Sequence, residues 1–225
     1  MTKGKRNFRR NLDPSAATYG KGQAKEHFIP FVPAVPDWII NCGPGSSVEF
    51  REMRKAWPKA KLIGLEPSDA GYAAAKARWP EDGILLQVAV WDKDGAIINL
   101  YYPDDLLHST CYATGERHLR DDTDSGGLDD VATVYARSLD SLDLEYGPFT
   151  NAVVWADIEG AERRMLRGCR ELLARGAIIA FNLEVRPQTE PEITRVLRSY
   201  GYRKEREYLA CEQYRDEVWL KERLL

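Results

Sequence analysis

The sequence predicts an α/β fold with a mostly parallel, doubly wound sheet and an antiparallel strand pair at its C-terminal end. Three observations carry that expectation. The stretch Asp37 to Ser47, DWIINCGPGSS, reads as a short apolar strand, a glycine turn and the start of a helix. Glu66 follows Asn41 by twenty-five positions and closes a second apolar run, Lys61-Leu62-Ile63-Gly64-Leu65. Strand-like and helix-like patterns then alternate up to residue 90, and such alternation implies parallel strands joined by right-handed crossovers.

The totals set bounds. With 225 residues, 44% hydrophobic and 30% charged, the chain suits one α/β domain with a tail. A net charge of -3 and a pI near 5.8 argue against a domain-wide nucleic-acid or anionic-membrane surface. No apolar run approaches the ~18 residues that a membrane span needs. No secretory signal is visible. Cys42, Cys111, Cys169 and Cys211 are scattered without a C-x-x-C pair, as expected of reduced thiols in a cytoplasmic protein.

Taken in order, residues 1–30 read as a basic, solvated arm, with Lys3, Lys5, Arg6, Arg9 and Arg10 among the first ten residues. A local contact of this arm with phosphate or with a partner stays open. Residues 28–36, FIPFVPAVP, are apolar but broken by prolines, which suits an extended lead-in. The domain proper is expected over 31–225. A strand near 37–41 precedes a helix over 48–57, with Met53, Ala56 and Trp57 on one face, stopped by Pro58. A second strand spans 61–66. Asp69 is a candidate cap for an alanine-rich helix over 70–79. A third strand covers 84–90. After the turn Asp92-Lys93-Asp94-Gly95, a strand over 96–102 is expected to hairpin onto what precedes it.

Residues 103–130 carry no periodicity and read as a substrate loop or lid. Their acidic run is not a calcium loop. With Gly127 at the turn position, Thr133 falls where a bidentate Glu is required. A short strand over 131–135 is followed by another over 152–156, then by Asp157-Ile158-Glu159-Gly160. One helix is expected over 161–174, a strand over 177–183 ending at Glu184, a helix over 192–200, and an antiparallel pair over 202–209 and 218–221 at the sheet edge.

The glycine turn and the distant carboxylate together point to a nucleoside. Gly43 and Gly45 lack a Cβ, so backbone can bend tightly against a ligand. Glu66 is placed to accept two ribose hydroxyls. The third glycine of a dinucleotide fingerprint is absent, since Val48 stands there. No Gly-Lys-Ser/Thr comes after the turn to hold a phosphate chain. A nucleoside without pyrophosphate fits best, and S-adenosyl-L-methionine is the expected cofactor.

The ordered segments DWIINCGPGSS, LIGLEPS, QVAVWDKDG, ARSLDSL, WADIEGAERRMLRG and NLEV resemble the FkbM-type family of S-adenosylmethionine-dependent methyltransferases over about residues 37–186. The resemblance implies a Rossmann-like class I methyltransferase fold and O-methylation of a sugar or small metabolite. Two positions depart from the family pattern. Asn41 stands where the glycine motif begins with Asp, and Trp155 where Lys precedes the Asp of D-x-E-G. Asn41 can still bind through its amide, without charge pairing to the methionine ammonium.

Expected cofactor contacts are therefore Asn41, Gly43, Gly45, Glu66, Ser68, Ala89, Val90 and Asp157, with Trp91 beside the adenine. Expected proton acceptors are Asp157, Glu159 and His108. Asp157 and Glu184 end neighbouring strands, and oxygen ligands there would suit magnesium or calcium; two carboxylates do not make a site, so a divalent cation stays open as the less favoured cofactor and no metal ligands are assigned. Two rival readings remain at this level: nucleic-acid binding or modification through the basic arm, and a degenerate methyltransferase fold serving as a binding module.

Overall fold

The computed structural model describes residues 23–45, 48–101, 110–113, 131–208 and 214–222, with side chains left out at 101, 110–113 and 131. His108 and most of the 103–130 stretch lie outside the described residues, as do residues 1–22 of the basic arm.

The main sheet is built around β1 (Trp38–Cys42) and β8 (Ala152–Ala156), whose residues are all buried. Both are short, mostly apolar runs with β-branched members, as a strand covered on two faces requires. On one side of β1 lie β2 (Lys61–Leu65) and β3 (Ile84–Leu86), both parallel to it. On the other side lie β8 and then β9 (Ile178–Val185), also parallel. The C-terminal hairpin, β10 (Tyr202–Tyr208) and β11 (Arg215–Lys221), completes the order β10-β11-β9-β8-β1-β2-β3. Only β11 runs against its neighbours, because it inserts between β9 and β10. The expected pair is present, but only β10 occupies the edge.

Helices cover both faces. On one pack α3 (Leu139–Tyr146), α4 (Glu162–Arg167), α5 (Arg170–Ala174) and α6 (Glu190–Ser199), burying Leu142, Met165, Leu172 and Leu197. On the other, α1 (Glu49–Ala56) buries Phe50 and Met53. Beside α1 the chain from Ala24 to Phe31 forms helical turns within the stretch expected to be extended or mobile. Phe28 is fully buried and meets Trp155 edge-on at 5.6 Å and Trp57 at 6.4 Å. Burial of such a ring stabilises by about 1.5–3 kcal/mol, enough to seat these turns on the sheet. Trp155 thus serves as the floor under Phe28.

Four local expectations change. The strand expected over 84–90 breaks after Leu86, and Ala89–Val90 (β4) joins a second sheet of order β4-β7-β5-β6. There β5 (Ile97–Tyr101) pairs with β7 (Val131–Arg137) and β6 (Thr110–Ala113), not with the strand before it. Ser68, not Asp69, caps α2 (Asp69–Lys76), its hydroxyl accepting from the Gly71 N–H. The helix expected over 161–174 divides into α4 and α5 at Gly168 and Cys169, where the chain passes so close to the Trp91 carbonyl oxygen that a Cβ at Gly168 would stand 2.0 Å from it. Helix α3 adds to the expected elements. Its signal is Ser138, whose hydroxyl accepts from the Ser141 N–H as an N-cap.

Candidate active site

The chain runs from β1 outward through β2 and β3, then returns to build β8 and β9 on the other flank. A ligand crevice is expected above the strand tops at this reversal. Gly43 leaves β1 there with φ 79°, and its N–H donates to the Leu65 carbonyl at 2.8 Å. A Cβ at Gly43 would stand 2.0 Å from the Asp157 carbonyl oxygen. Its bareness is therefore demanded by the close approach of β8's end, in addition to the positive φ. Two residues on, the Gly45 N–H donates to Glu66 Oε2 at 2.9 Å, and Arg78 Nη2 donates to the Gly45 carbonyl at 3.1 Å.

Glu66 is 5% exposed, with its carboxylate held in place. Oε1 accepts from the Ser68 N–H at 3.0 Å and the Ser68 hydroxyl at 2.7 Å. Burial raises its pKa against the lowering effect of these bonds. A carboxylate oxygen can take about two hydrogen bonds, so Oε1 is filled while Oε2 keeps one place beside the Gly45 N–H. Gly71 completes the arrangement. A Cβ there would lie 2.6 Å from the Glu66 carboxyl carbon and 2.5 Å from Ser68 Oγ. Gly71 was not among the expected site residues, although a glycine in an alanine-rich helix costs roughly 1 kcal/mol and so asks for a reason.

Asn41 is 1% exposed, and neither its amide nitrogen nor its amide oxygen has a hydrogen-bond partner among the described residues. A buried amide in that state costs a few kcal/mol unless a ligand or water meets it. Ala89, Val90 and Trp91 are buried at the entrance to the second sheet. The Arg164 guanidinium lies 5.3 Å from the Trp91 ring centre and pairs with Asp92 at 2.7 Å.

The tops of β8 and β9 differ in character. Asp157, Glu159 and Glu184 each bring a carboxylate oxygen within 4.8 Å of the other two. Strand pairing of Ala156 with Leu183 sets Asp157 and Glu184 side by side. Glu159 adopts φ 55° and is followed by Gly160 at φ 100°, so this bend turns Glu159 back toward the strand tops. Arg186 Nη2 donates to Glu159 Oε2 at 2.6 Å, and Arg186 Nε stands 3.7 Å from Glu184 Oε1. Beneath the bend, the fully buried Glu162 accepts from the Ile158 and Gly160 N–H groups at 3.3 and 3.4 Å.

This crowd of acids shifts its own titrations. Burial, reinforced by Asp157, Glu159 and Glu162, pushes Glu184 up to about 10. Burial carries Glu162 to about 7. Asp216, opposite Glu184 on β11, also rises to about 7, through burial and then the charge of Glu49. Asp157 is exposed at the end of β8, yet loss of hydration beside the surrounding strand ends and then the carboxylates of Glu159, Asp216, Glu162 and Glu49 raise its pKa. Such a field favours a cationic ligand.

Asn41, Gly43, Gly45, Glu66, Ser68, Asp157 and Glu159 are thus gathered along one row of strand ends, with Ala89 and Val90 just beyond β3. The role of Glu162 inside the D-I-E-G-A-E turn and the partnership of Arg186 with two carboxylates were not read from the sequence. Arg186 follows Glu184 by two residues, but nothing local says that it reaches Glu159.

A model of the FkbM methyltransferase domain matches residues 40–204. The chain belongs to that family. Its sheet order and single inserted antiparallel strand are those of the Rossmann-like class I methyltransferase fold. No curated protein matches the chain in sequence. Among solved structures, magnesium protoporphyrin IX methyltransferase from Synechocystis, with bound SAM, is 11% identical, covering 98% of this chain and 87% of its own, at a TM-score of 0.49. Aeropyrum pernix fibrillarin with bound S-adenosyl-L-methionine is 12% identical over 92% and 74%, at 0.48. Precorrin-6y C5,15-methyltransferase from Geobacter metallireducens is 9% identical over 85% and 84%, at 0.47. No helix among the described residues is long and apolar enough to cross a membrane.

Proposed function

We propose that this FkbM-family methyltransferase uses S-adenosyl-L-methionine to methylate a hydroxyl of a sugar or small metabolite. The observation that carries the cofactor is the buried Glu66 carboxylate, braced by Ser68 and the Gly45 N–H, with one acceptor place left on Oε2. The residues fit the group on two further counts. Asn41 has a buried amide with both ends unmet among the described residues, suited to the amino-acid end of the cofactor. The acidic strand tops suit its positive charge. When bound, the cofactor supplies a methyl group on a sulfonium.

In this reading Glu66 accepts from the ribose, and the Gly43–Gly45 bend holds the neighbouring backbone open. Ala89 and Val90 border the adenine. Asp157, with Glu159 behind it, accepts the proton of the acceptor hydroxyl, since crowding keeps its pKa above the ordinary carboxylate range. His108 remains a candidate base outside the described residues.

Calorimetry with S-adenosylhomocysteine tests the reading. Wild-type protein is expected to bind it, and Glu66→Gln to bind about tenfold or more weakly, as loss of a charged acceptor implies. No heat with the wild type removes the cofactor from this site. Mass spectrometry of candidate alcohols and sugars incubated with the methyl donor then tests the acceptor class, and a product methylated on nitrogen or carbon contradicts it.

A further inference from the structure

We propose that Asp157, Glu159 and Glu184 form a binding site for one hard divalent cation, of the magnesium or manganese type, at the tops of β8 and β9. Two independent observations carry the proposal. The first is geometry: three carboxylates from two adjacent strand ends and the bend between β8 and α4 converge with oxygens within 4.8 Å of one another. The second is an orphan atom. Glu184, a member of the cluster, is 7% exposed, and its Oε1 has no hydrogen-bond partner among the described residues. Arg186 Nε, at 3.7 Å, is beyond hydrogen-bond reach of it. A buried carboxylate oxygen left in this state costs energy that a bound cation would return.

The charge balance agrees. Once all three are ionised, the carboxylates and the Arg186 guanidinium leave two negative charges, which one dication neutralises. Arg186 does not bar the site, because it engages Glu159 through Oε2 and leaves that side chain's other oxygen to a metal. Among the described residues the donors are all oxygen, with no thiolate or imidazole in the cluster, which selects a hard cation over zinc. Three protein ligands leave about three octahedral positions to water or to oxygens of an acceptor. The site stands apart from Glu66 but shares Asp157 and Glu159 with the proton-accepting role given above, and ion binding there can be measured without the cofactor.

The test uses the whole chain, stripped with EDTA and titrated with Mn2+ alone, while the electron spin resonance signal of free Mn2+ is followed. Wild type is expected to take up about one Mn2+ per chain. Glu184→Gln should weaken uptake about tenfold or more, and Glu81→Gln, at an exposed carboxylate, should leave it unchanged. Cooperative urea unfolding establishes that Glu184→Gln is folded; should it not be, Asp157→Asn replaces it with the same expectation. Absence of saturable uptake by wild type, or equal uptake by the cluster variant, overturns the proposal. Calorimetry with S-adenosylhomocysteine on the same samples keeps the two readings apart. Mn2+ uptake without cofactor heat retains the metal site and removes the cofactor, and the reverse result removes the metal alone.

Discussion

Glu66 and Glu184 stand at matching places on opposite flanks of the sheet and are almost equally hidden, at 5% and 7% exposure. Their surroundings are opposite. Glu66 receives hydrogen bonds from two backbone N–H groups and a hydroxyl. Glu184 faces Asp157 and Glu159, and one of its oxygens has no donor among the described residues. The difference comes from the turn that leaves each strand. After β2, Pro67 and Ser68 start a helix whose first turn is rich in unpaired N–H groups. After β9, Arg186 leads into a turn, and the nearest strand end brings more carboxylate. A donor-lined carboxylate is already shaped to grip a neutral hydroxyl. A carboxylate among carboxylates is shaped for a positive partner.

The largest expected effect comes where the two flanks touch. Gly43→Ala puts a methyl group into the Asp157 carbonyl and forces an L residue to φ 79°. A loss of about 3 kcal/mol in urea unfolding is expected. Gly45→Ala, with nothing closer than 3.7 Å, should lose only about 1 kcal/mol. Equal losses would mean that the flanks are not in contact at Gly43.

Next in size is the pH dependence of the acidic flank. Glu162 and Asp216 hold their protons more tightly when folded, to about 7, and Glu184 to about 10. Their contribution is therefore full below the unfolded values near 4 and is lost as pH rises through the folded ones. Asp94, Glu145, Glu190 and Glu192 are lowered, and they lose stability in the opposite direction as the solution turns acid. With EDTA present, the urea midpoint should be higher at pH 6 than at pH 8, and Glu162→Gln should flatten that slope. An unchanged slope in the variant would show that Glu162 is not one of the groups responsible.

The smallest effect falls between the flanks. Asn41→Asp should tighten S-adenosylhomocysteine about fivefold, the gain of a charged over a neutral hydrogen-bond acceptor. An unchanged affinity would take position 41 away from the amino-acid end of the cofactor.

Much of the scaffold was legible because it is written in local chemistry. Apolar runs marked β1, β2, β8 and β9, and the glycine turn marked the crevice. Spacing led to Glu66, although neither Gly71 nor the capping role of Ser68 was read with it. The helix over 161–174 was misjudged at one place, because Gly168 answers to the Trp91 carbonyl, more than seventy positions away. The strand over 84–90 was misjudged for the same kind of reason, since Ala89 finds its partner in Ala136.

From its sequence alone the chain determined a parallel α/β sheet, the bend at Gly43–Gly45 and the carboxylate at the end of β2, because periodicity and backbone-permissive residues act within a few positions. Only the tertiary structure decided that Gly43 must be bare for Asp157, that Phe28 caps Trp155, and that Asp157, Glu159 and Glu184 converge. Those depend on which strand ends lie side by side, and strand order is settled by packing across the whole sheet, where no local pattern records it.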